Sequence, residues 1–433
     1  MRQSDPPDRP EATAPDLRVS RRALGRALCG ATITSGLFAG CRPCFSPFPP
    51  RHETRRSRGP RTFTVRAEVL PGRFRRLEEQ LSDPSLSPFE VPSPGVHYAR
   101  LFTAEHRFLY FMVIYDDYED ALDLLYANAK GVDPIFANCR DFPPGGAADR
   151  PALDAYVRDT LLCVELFYRA YNESQAEIRD ALAFRDQFLV FLRSVEGLPE
   201  DQLRQRYAAF RNTPELVNHD RDDDNDVPLD QTEAGRPVAL TPLAPLPRTE
   251  AGRPVALAPV NAPDRVSPFT MMARVHPHLL PKLERTLRLG TFATIDLGMR
   301  PLKNLPTLHF ARVSIIEGNQ MLFASVYDGD FIQYVEDFSS RIAKEMDAVF
   351  GASVGYPLAG SRDVFQFKDF LRVNEILTRD FAGAYLDRSL LQIQSSLALM
   401  KAFGTFAKRV GPQHRNLPTR FQCFLHDNQA RLT

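Results

Sequence analysis

The chain has 433 residues, 43% of them hydrophobic and 25% charged, which allows a buried core and leaves room for two or more domains. Lysine plus arginine equals aspartate plus glutamate, 54 each, so bulk charge gives no attraction for nucleic acid or an anionic membrane. Six cysteines (Cys29, Cys41, Cys44, Cys139, Cys163, Cys423) in so long a chain are no disulfide framework, and no apolar run approaches the roughly 20 residues that span a bilayer.

In chain order, Ser20-Arg21-Arg22 precedes a mildly apolar stretch, 27–40, and then Cys41. Residues 1–41 resemble a twin-arginine export signal ending in a lipoprotein-type box, Phe38-Ala39-Gly40-Cys41, with Cys41 as the lipid-anchor candidate. On that reading the protein is exported, periplasmic or membrane-anchored; the alternative is a plain leader on a cytoplasmic protein. Residues 42–60, rich in Pro and Arg, read as a tether, and Cys41 and Cys44 lie there without the strand-helix context that tunes a redox pair.

A first folded block, 61–200, follows. "TVRAEV" reads as a strand, and the segment after Pro71 places Phe74, Leu77 and Leu81 on one helical face. "VHYARLF" and "LYFMVIY" are two strands joined by "TAEHR", a hairpin signature. Asp116 or Asp117 can cap a helix carrying Leu122, Leu125, Tyr126 and Ala129 at i, i+3, i+4 and i+7. "VELFYRAY" reads as another strand, and Ile178, Leu182, Phe188 and Leu192 mark a last amphipathic helix.

The stretch 213–266 opens with the acidic run "HDRDDDND" and continues with a 17-residue tandem copy, "TEAGRPVALTPLAPLPR" then "TEAGRPVALAPVNAPDR". Pro at this density reads as an extended, solvated linker. Asp222, Asp224, Asp226, Asp230 and Glu233 fit a calcium-loop spacing, but Val227 stands where such a loop needs Gly. The second block, 267–410, repeats the first: "HYARLF" meets "HFARVS", Tyr115-Asp116 meets Tyr327-Asp328 at an offset of 212, and Tyr171 meets Tyr385 at 214. Residues 411–433 read as a C-terminal tail.

Each block therefore runs β-α-β-β-α-β with a trailing helix, an α+β, ferredoxin-like unit that leaves one sheet face bare. The cheapest cover for that face is the other copy's, which gives an intramolecular pseudo-dimeric α/β barrel. This resembles the dimeric α/β-barrel superfamily in its fused, duplicated form, and is similar to uncharacterised two-repeat bacterial proteins with the same "HFAR" and "YDG" phrasing.

Strand alternation puts Tyr98 and Arg100, and Phe310 and Arg312, toward the space between the sheets, with His97 and His309 on the helix-packed side. A buried arginine must meet an acid or an anionic ligand. Arg100 and Arg312 are thus either contacts for a small anionic ligand or halves of an internal salt bridge, with Glu165 as one acid in reach. The resemblance also extends distantly to dye-decolourising peroxidases, and it implies haem as a cofactor, with Asp328 and Arg312 as distal catalytic residues and His309 or His414 as proximal ligand. Ser325-Val326-Tyr327-Asp328-Gly329 lacks the leading glycine of that family's motif, and Asp328 reads more simply as a strand-end or helix-cap residue, like its counterpart Asp116. His276-Pro277-His278 has no third ligand nearby, so no metal site is expected. Three readings stand: a ligand- or partner-binding barrel of unassigned activity, with Tyr98, Phe310 and the arginines at its site; a haem peroxidase-like oxidoreductase; and a non-catalytic structural or interaction module.

Overall fold

The computed structural model describes residues 59–212, 266–296, 305–317 and 319–432. The leader with Cys41, most of the tether, the acidic run and the tandem copy lie outside them. The first half supplies β1 (Arg61–Glu68), α1 (Phe74–Leu81), β2 (Val96–Ala104), β3 (Phe108–Tyr115), α2 (Tyr118–Ala127), α3 (Ala129–Phe136), α4 (Arg150–Thr160), β4 (Leu161–Leu162), β5 (Leu166–Arg169), α5 (Gln175–Val195) and α6 (Glu200–Phe210). The second supplies β6 (Val266–Arg274), α7 (Leu280–Asp296), β7 (Leu308–Ile316), β8 (Gln320–Asp328), α8 (Phe331–Arg341), α9 (Ala343–Phe350), α10 (Val364–Val373), β9 (Asp380–Gly383) and α11 (Leu390–Arg409). The stretch read as a tail forms α12 (Leu417–Asp427) and α13 (Gln429–Leu432). Among the described residues no helix is long and apolar enough to cross a membrane.

Local chemistry sets these boundaries. The β2–β3 hairpin turns through Glu105 and His106, both left-handed at φ 61° and 49°. Asp117 and Asp120 form a capping box on α2, Asp330 accepts from the first turn of α8, and Ser174 and Ser389 cap α5 and α11 with Glu177 and Gln392 as reciprocal partners. Gly146 and Gly360 occupy matching positions with φ near +67° and +74°, and a Cβ on either would collide with the Asp133 or Asp347 carboxylate.

The strands build two antiparallel sheets, ordered β4-β1-β3-β2-β9 and β5-β7-β8-β6. The sequence reading kept the last strand of each block inside its own unit; here that strand divides. β4 pairs with β1 (Val65 opposite Leu161), but after three intervening residues β5 pairs with β7 of the other sheet (Leu166 opposite Val313). In the second half Glu375 bridges Met271 of β6, and β9 pairs with β2 (Leu101 opposite Asp380). The two sheets are thus joined along both edges, which satisfies backbone groups that open edges would leave bare.

Helices cover the outer sheet faces. Phe63, Val65, Leu101 and Phe111 pack beneath α2–α4, and Met271, Val313, Ile315 and Phe323 beneath α7–α10. A helical layer of α5, α6, α11 and α12 has its own core, with Phe184, Phe188, Phe191, Phe210, Phe403 and Phe421 in mutual contact. Phe421 and Phe424, one helical turn apart on α12, dock the former tail onto this layer.

Candidate anion site between the sheets

Between the sheets, side chains lie in three layers. One end is aromatic (Tyr98, Phe167, Phe310, Tyr171, Tyr385), and the other is apolar (Phe102, Phe108, Tyr110, Met112, Leu322). The middle layer is polar. Thr62 and Thr64 of β1, Arg100 of β2, Thr270 of β6, and Arg312 and Ser314 of β7 are all buried there.

The alternation of β2 and β7 delivers both arginines inward as expected, but each reaches across to the opposite sheet. Arg100 Nη1 donates to Phe269 O (2.9 Å) and Thr270 Oγ1 (3.1 Å), and Nη2 to Ser325 O (2.7 Å). Arg312 Nη1 donates to Phe63 O (2.9 Å) and to Thr62 Oγ1. Among the described residues neither arginine has a carboxylate partner, and Arg312 Nε and Nη2 have no acceptor although the residue is only 5% exposed. Glu165, the acid considered as a salt-bridge partner, turns its Oε2 to the backbone N–H of Ile315 (2.8 Å). Burial pulls the Arg100 guanidinium down to about 9, and it pulls Arg312 well below the ordinary arginine range, with repulsion from Arg100 as the second cause. Two buried hydroxyls of this layer, Thr64 Oγ1 and Ser314 Oγ, also lack partners. A layer with two like charges, spare N–H donors and spare hydroxyls has the chemistry to hold an anion.

The histidines lie elsewhere than alternation predicts. Between Val96 and Tyr98, and between Leu308 and Phe310, the register slips by one residue, so His97 and His309 are bulge residues. The bulge turns both rings away from the helices and into the aromatic layer. His97 Nε2 meets Asp116 Oδ1 (2.8 Å) and His309 Nε2 meets Asp328 Oδ1 (2.7 Å). Carboxylates only accept, so Nε2 of each ring carries a proton, and in the neutral ring Nδ1 accepts. Tyr385 donates to His97 Nδ1; Tyr98 Oη stands 3.5 Å and Tyr171 Oη 3.4 Å from His309 Nδ1; Tyr171 donates to Tyr385 (3.2 Å). Each aspartate uses its second oxygen to cap a helix: Asp116 accepts Gln175 N–H of α5 (2.8 Å), and Asp328 accepts Leu390 N–H of α11 (2.7 Å). One hydrogen-bonded run thus goes from Tyr171 through Tyr385 and His97 to Asp116, and a second from Tyr98 through His309 to Asp328. Burial raises Tyr98, Tyr171 and Tyr385 well above the ordinary phenol range, so none is a phenolate near neutral pH.

The structure therefore brings Tyr98, Phe310, His309 and Asp328 together, with Arg100 and Arg312 in the next layer. His414 is not among them: it sits in the turn before α12, where its Nδ1 accepts Asn416 N–H (3.2 Å). These residues do not fit a haem. Both His309 nitrogens are engaged, and Tyr98, Tyr171 and Phe310 pack against its face of the aromatic layer. Sequence reasoning passed over Tyr385, Tyr171, Thr62 and Ser314 as site residues. The repeated Tyr171 and Tyr385 were visible, but which strand would cross to which sheet was not.

No protein-family model and no curated protein matches the chain. Solved structures with some likeness include a proposed monooxygenase from Fusobacterium nucleatum, at 10% identity and a TM-score of 0.25, covering 75% of this chain and 94% of that one. A proposed monooxygenase from Lactobacillus acidophilus overlaps at 7% identity and a TM-score of 0.23, over 75% and 97% of the two chains. An anthrone oxidase-like protein overlaps at 10% identity and 0.23, over 78% and 98%. Overlaps this shallow carry neither a fold nor an activity to this chain.

Proposed function

We propose that the protein is a single-chain, pseudo-dimeric α/β barrel that binds a small anion between its sheets, gripped by Arg100 from one half and Arg312 from the other. The observation that supports this most directly is the pair of buried guanidiniums with no carboxylate and with Arg312 Nε and Nη2 unspent. Burying one charge without a counter-charge is costly, and burying two that repel is more so. An anion between them reverses the sign of that interaction. The aromatic and apolar layers at either end limit its size, favouring chloride, nitrate or formate over phosphate. The two Asp–His–Tyr runs are structural locks in this reading, pinning α5 and α11 to the hairpins.

The twin-arginine-like leader supports export.

Melting temperature tests the reading, measured at fixed ionic strength while gluconate is replaced by chloride, nitrate, formate or phosphate. A small anion should raise it saturably, about 2.7 kcal/mol of added stability at a hundredfold excess over Kd. Phosphate should do nothing, and Arg312→Met should abolish the response. Equal responses to all four salts, or an unchanged response in Arg312→Met, would sink the proposal.

A further inference from the structure

The two halves differ most on one outer face. In the first half, polar contacts join α2 and α4: Arg150 pairs with Glu119 (2.8 Å) and Asp123 (2.5 Å), and Tyr118 donates to Asp154 (2.8 Å), which Arg158 of the same helix holds (2.7 Å). The helix caps Asp117/Asp330 and Asp149/Asp363 align the second half with offsets of 213 and 214. There Val364 replaces Arg150, Ile332 replaces Glu119, Phe331 replaces Tyr118, Phe365 replaces Pro151 and Val373 replaces Asp159. Leu377 replaces the disulfide-bonded Cys163.

These substitutions leave apolar side chains in water: Phe365 is 82% exposed, Val373 84%, Leu377 63% and Ile332 49%. Four large apolar groups around one helix pair are more than scattered surface residues require. Between α8, α10 and the strand-like segment 375–378 lies an open cleft of about 1130 Å³, its floor formed by Tyr327, Phe331 and Pro268. Asp330, Glu336, Asp337 and Glu375 line it with Arg372; Glu336 pairs with Lys368 (3.3 Å) and Asp337 with Arg341 (3.1 Å). Glu375 has no ion pair among the described residues, and Asp337 Oδ2 has no hydrogen-bond donor.

What covers this face is indicated by the path of the chain. It enters β6 at Val266, and Pro268, two residues on, is already part of the cleft wall. The residues just before are the second tandem unit, "TEAGRPVALAPVNAPDR", 249–265. That unit is Pro-rich and apolar in sequence and carries Arg253 and Arg265. A dozen residues can reach at most about 40 Å from the cleft wall. Pro-rich segments dock in aromatic-lined grooves because little conformational freedom remains to be lost.

We propose that the cleft between α8 and α10 binds the chain's own segment 249–265, its Pro-Val-Ala-Leu run against Tyr327, Phe331 and the exposed apolar rim and its arginines against the carboxylates. The contact is intramolecular, held by an effective concentration in the millimolar range that a short tether provides. It is separate from the anion site and stands on different residues.

The test uses the full chain and a full-length variant in which 232–265 is replaced by Gly-Ser of equal length. The probe is a fluorescein-labelled peptide of sequence 249–265, read by anisotropy. The replaced chain should bind the peptide at least tenfold more tightly than the natural chain, whose cleft is already filled. Leu377→Asp with Phe365→Ser in the replaced chain should weaken that binding at least tenfold. Both side chains are solvent-facing, so circular dichroism melts should match and exclude misfolding. Absence of binding to the replaced chain, equal binding to both chains, or binding indifferent to Leu377→Asp overturns the proposal. So does a dimer of the replaced chain in sedimentation that Leu377→Asp dissolves, since the cleft would then hold a second copy.

Discussion

Tyr171 and Tyr385 are sequence equivalents, yet their hydroxyls carry unequal weight. Tyr385 O–H is the donor to His97 Nδ1, whose other nitrogen is committed to Asp116, and the ring is fully buried. In Tyr385→Phe that acceptor is orphaned: about 1 kcal/mol of net hydrogen bond is lost, and an unsatisfied buried group costs about 1–3 kcal/mol more. The expected loss is about 2–4 kcal/mol. Tyr171→Phe removes only a donor to the Tyr385 oxygen, while Tyr98 still faces His309 Nδ1, so the expected loss is about 0.5–1.5 kcal/mol. Urea unfolding followed by circular dichroism compares the two at a common slope. Tyr385→Phe should also be non-additive with Asp116→Asn, since both act through one imidazole. If Tyr171→Phe costs as much as Tyr385→Phe, the order of donors along the chain runs the other way and the argument fails.

Burial, with repulsion from Asp116, Asp117 and Asp123, pushes the Asp120 carboxyl up to about 6. A carboxyl raised in the folded state holds its proton more tightly there. Its contribution is therefore most favourable below the unfolded value near 3.9 and is lost as pH rises through about 6. Stability measured from pH 4 to pH 7 should move in favour of Asp120→Asn, and parallel profiles would contradict this. The Cys423 thiol is exposed while Cys139 is buried and pushed up to about 12, so Cys423→Ser should remove a fast-reacting thiol in the native protein and Cys139→Ser should not. Phe188, fully buried among Phe184, Phe191, Phe403 and Phe424, should cost about 3–5 kcal/mol as Phe188→Ala, against under about 0.5 kcal/mol for Phe365→Ser. Thermal unfolding ranks the two, and a reversed order would show that the helical layer does not carry stability.

Much of the architecture was legible locally. The hairpin of β2 and β3, the cap at Asp330 and the inward set Tyr98, Arg100 and Phe102 follow from period-2 and period-3.6 patterns and from the few side chains that can satisfy a helix's first N–H groups. The sequence also shows both arginines inside, because an alternating strand leaves them no other face. It does not show where they end. Arg100 and Arg312 find backbone carbonyls and a threonine hydroxyl on the opposite sheet, and their acceptors lie 169 or more residues away. The bulges at His97 and His309 were equally hidden: one extra residue against the partner strand leaves the pattern of residue types intact and reverses only the side chain that is extra. The crossing of β5 and β9 to the other sheet depends on which edge is open when two halves meet, and no local propensity encodes an edge. Residue chemistry determined what had to be buried and what had to be paired; only the closed pair of sheets decided which groups are near enough to do the pairing.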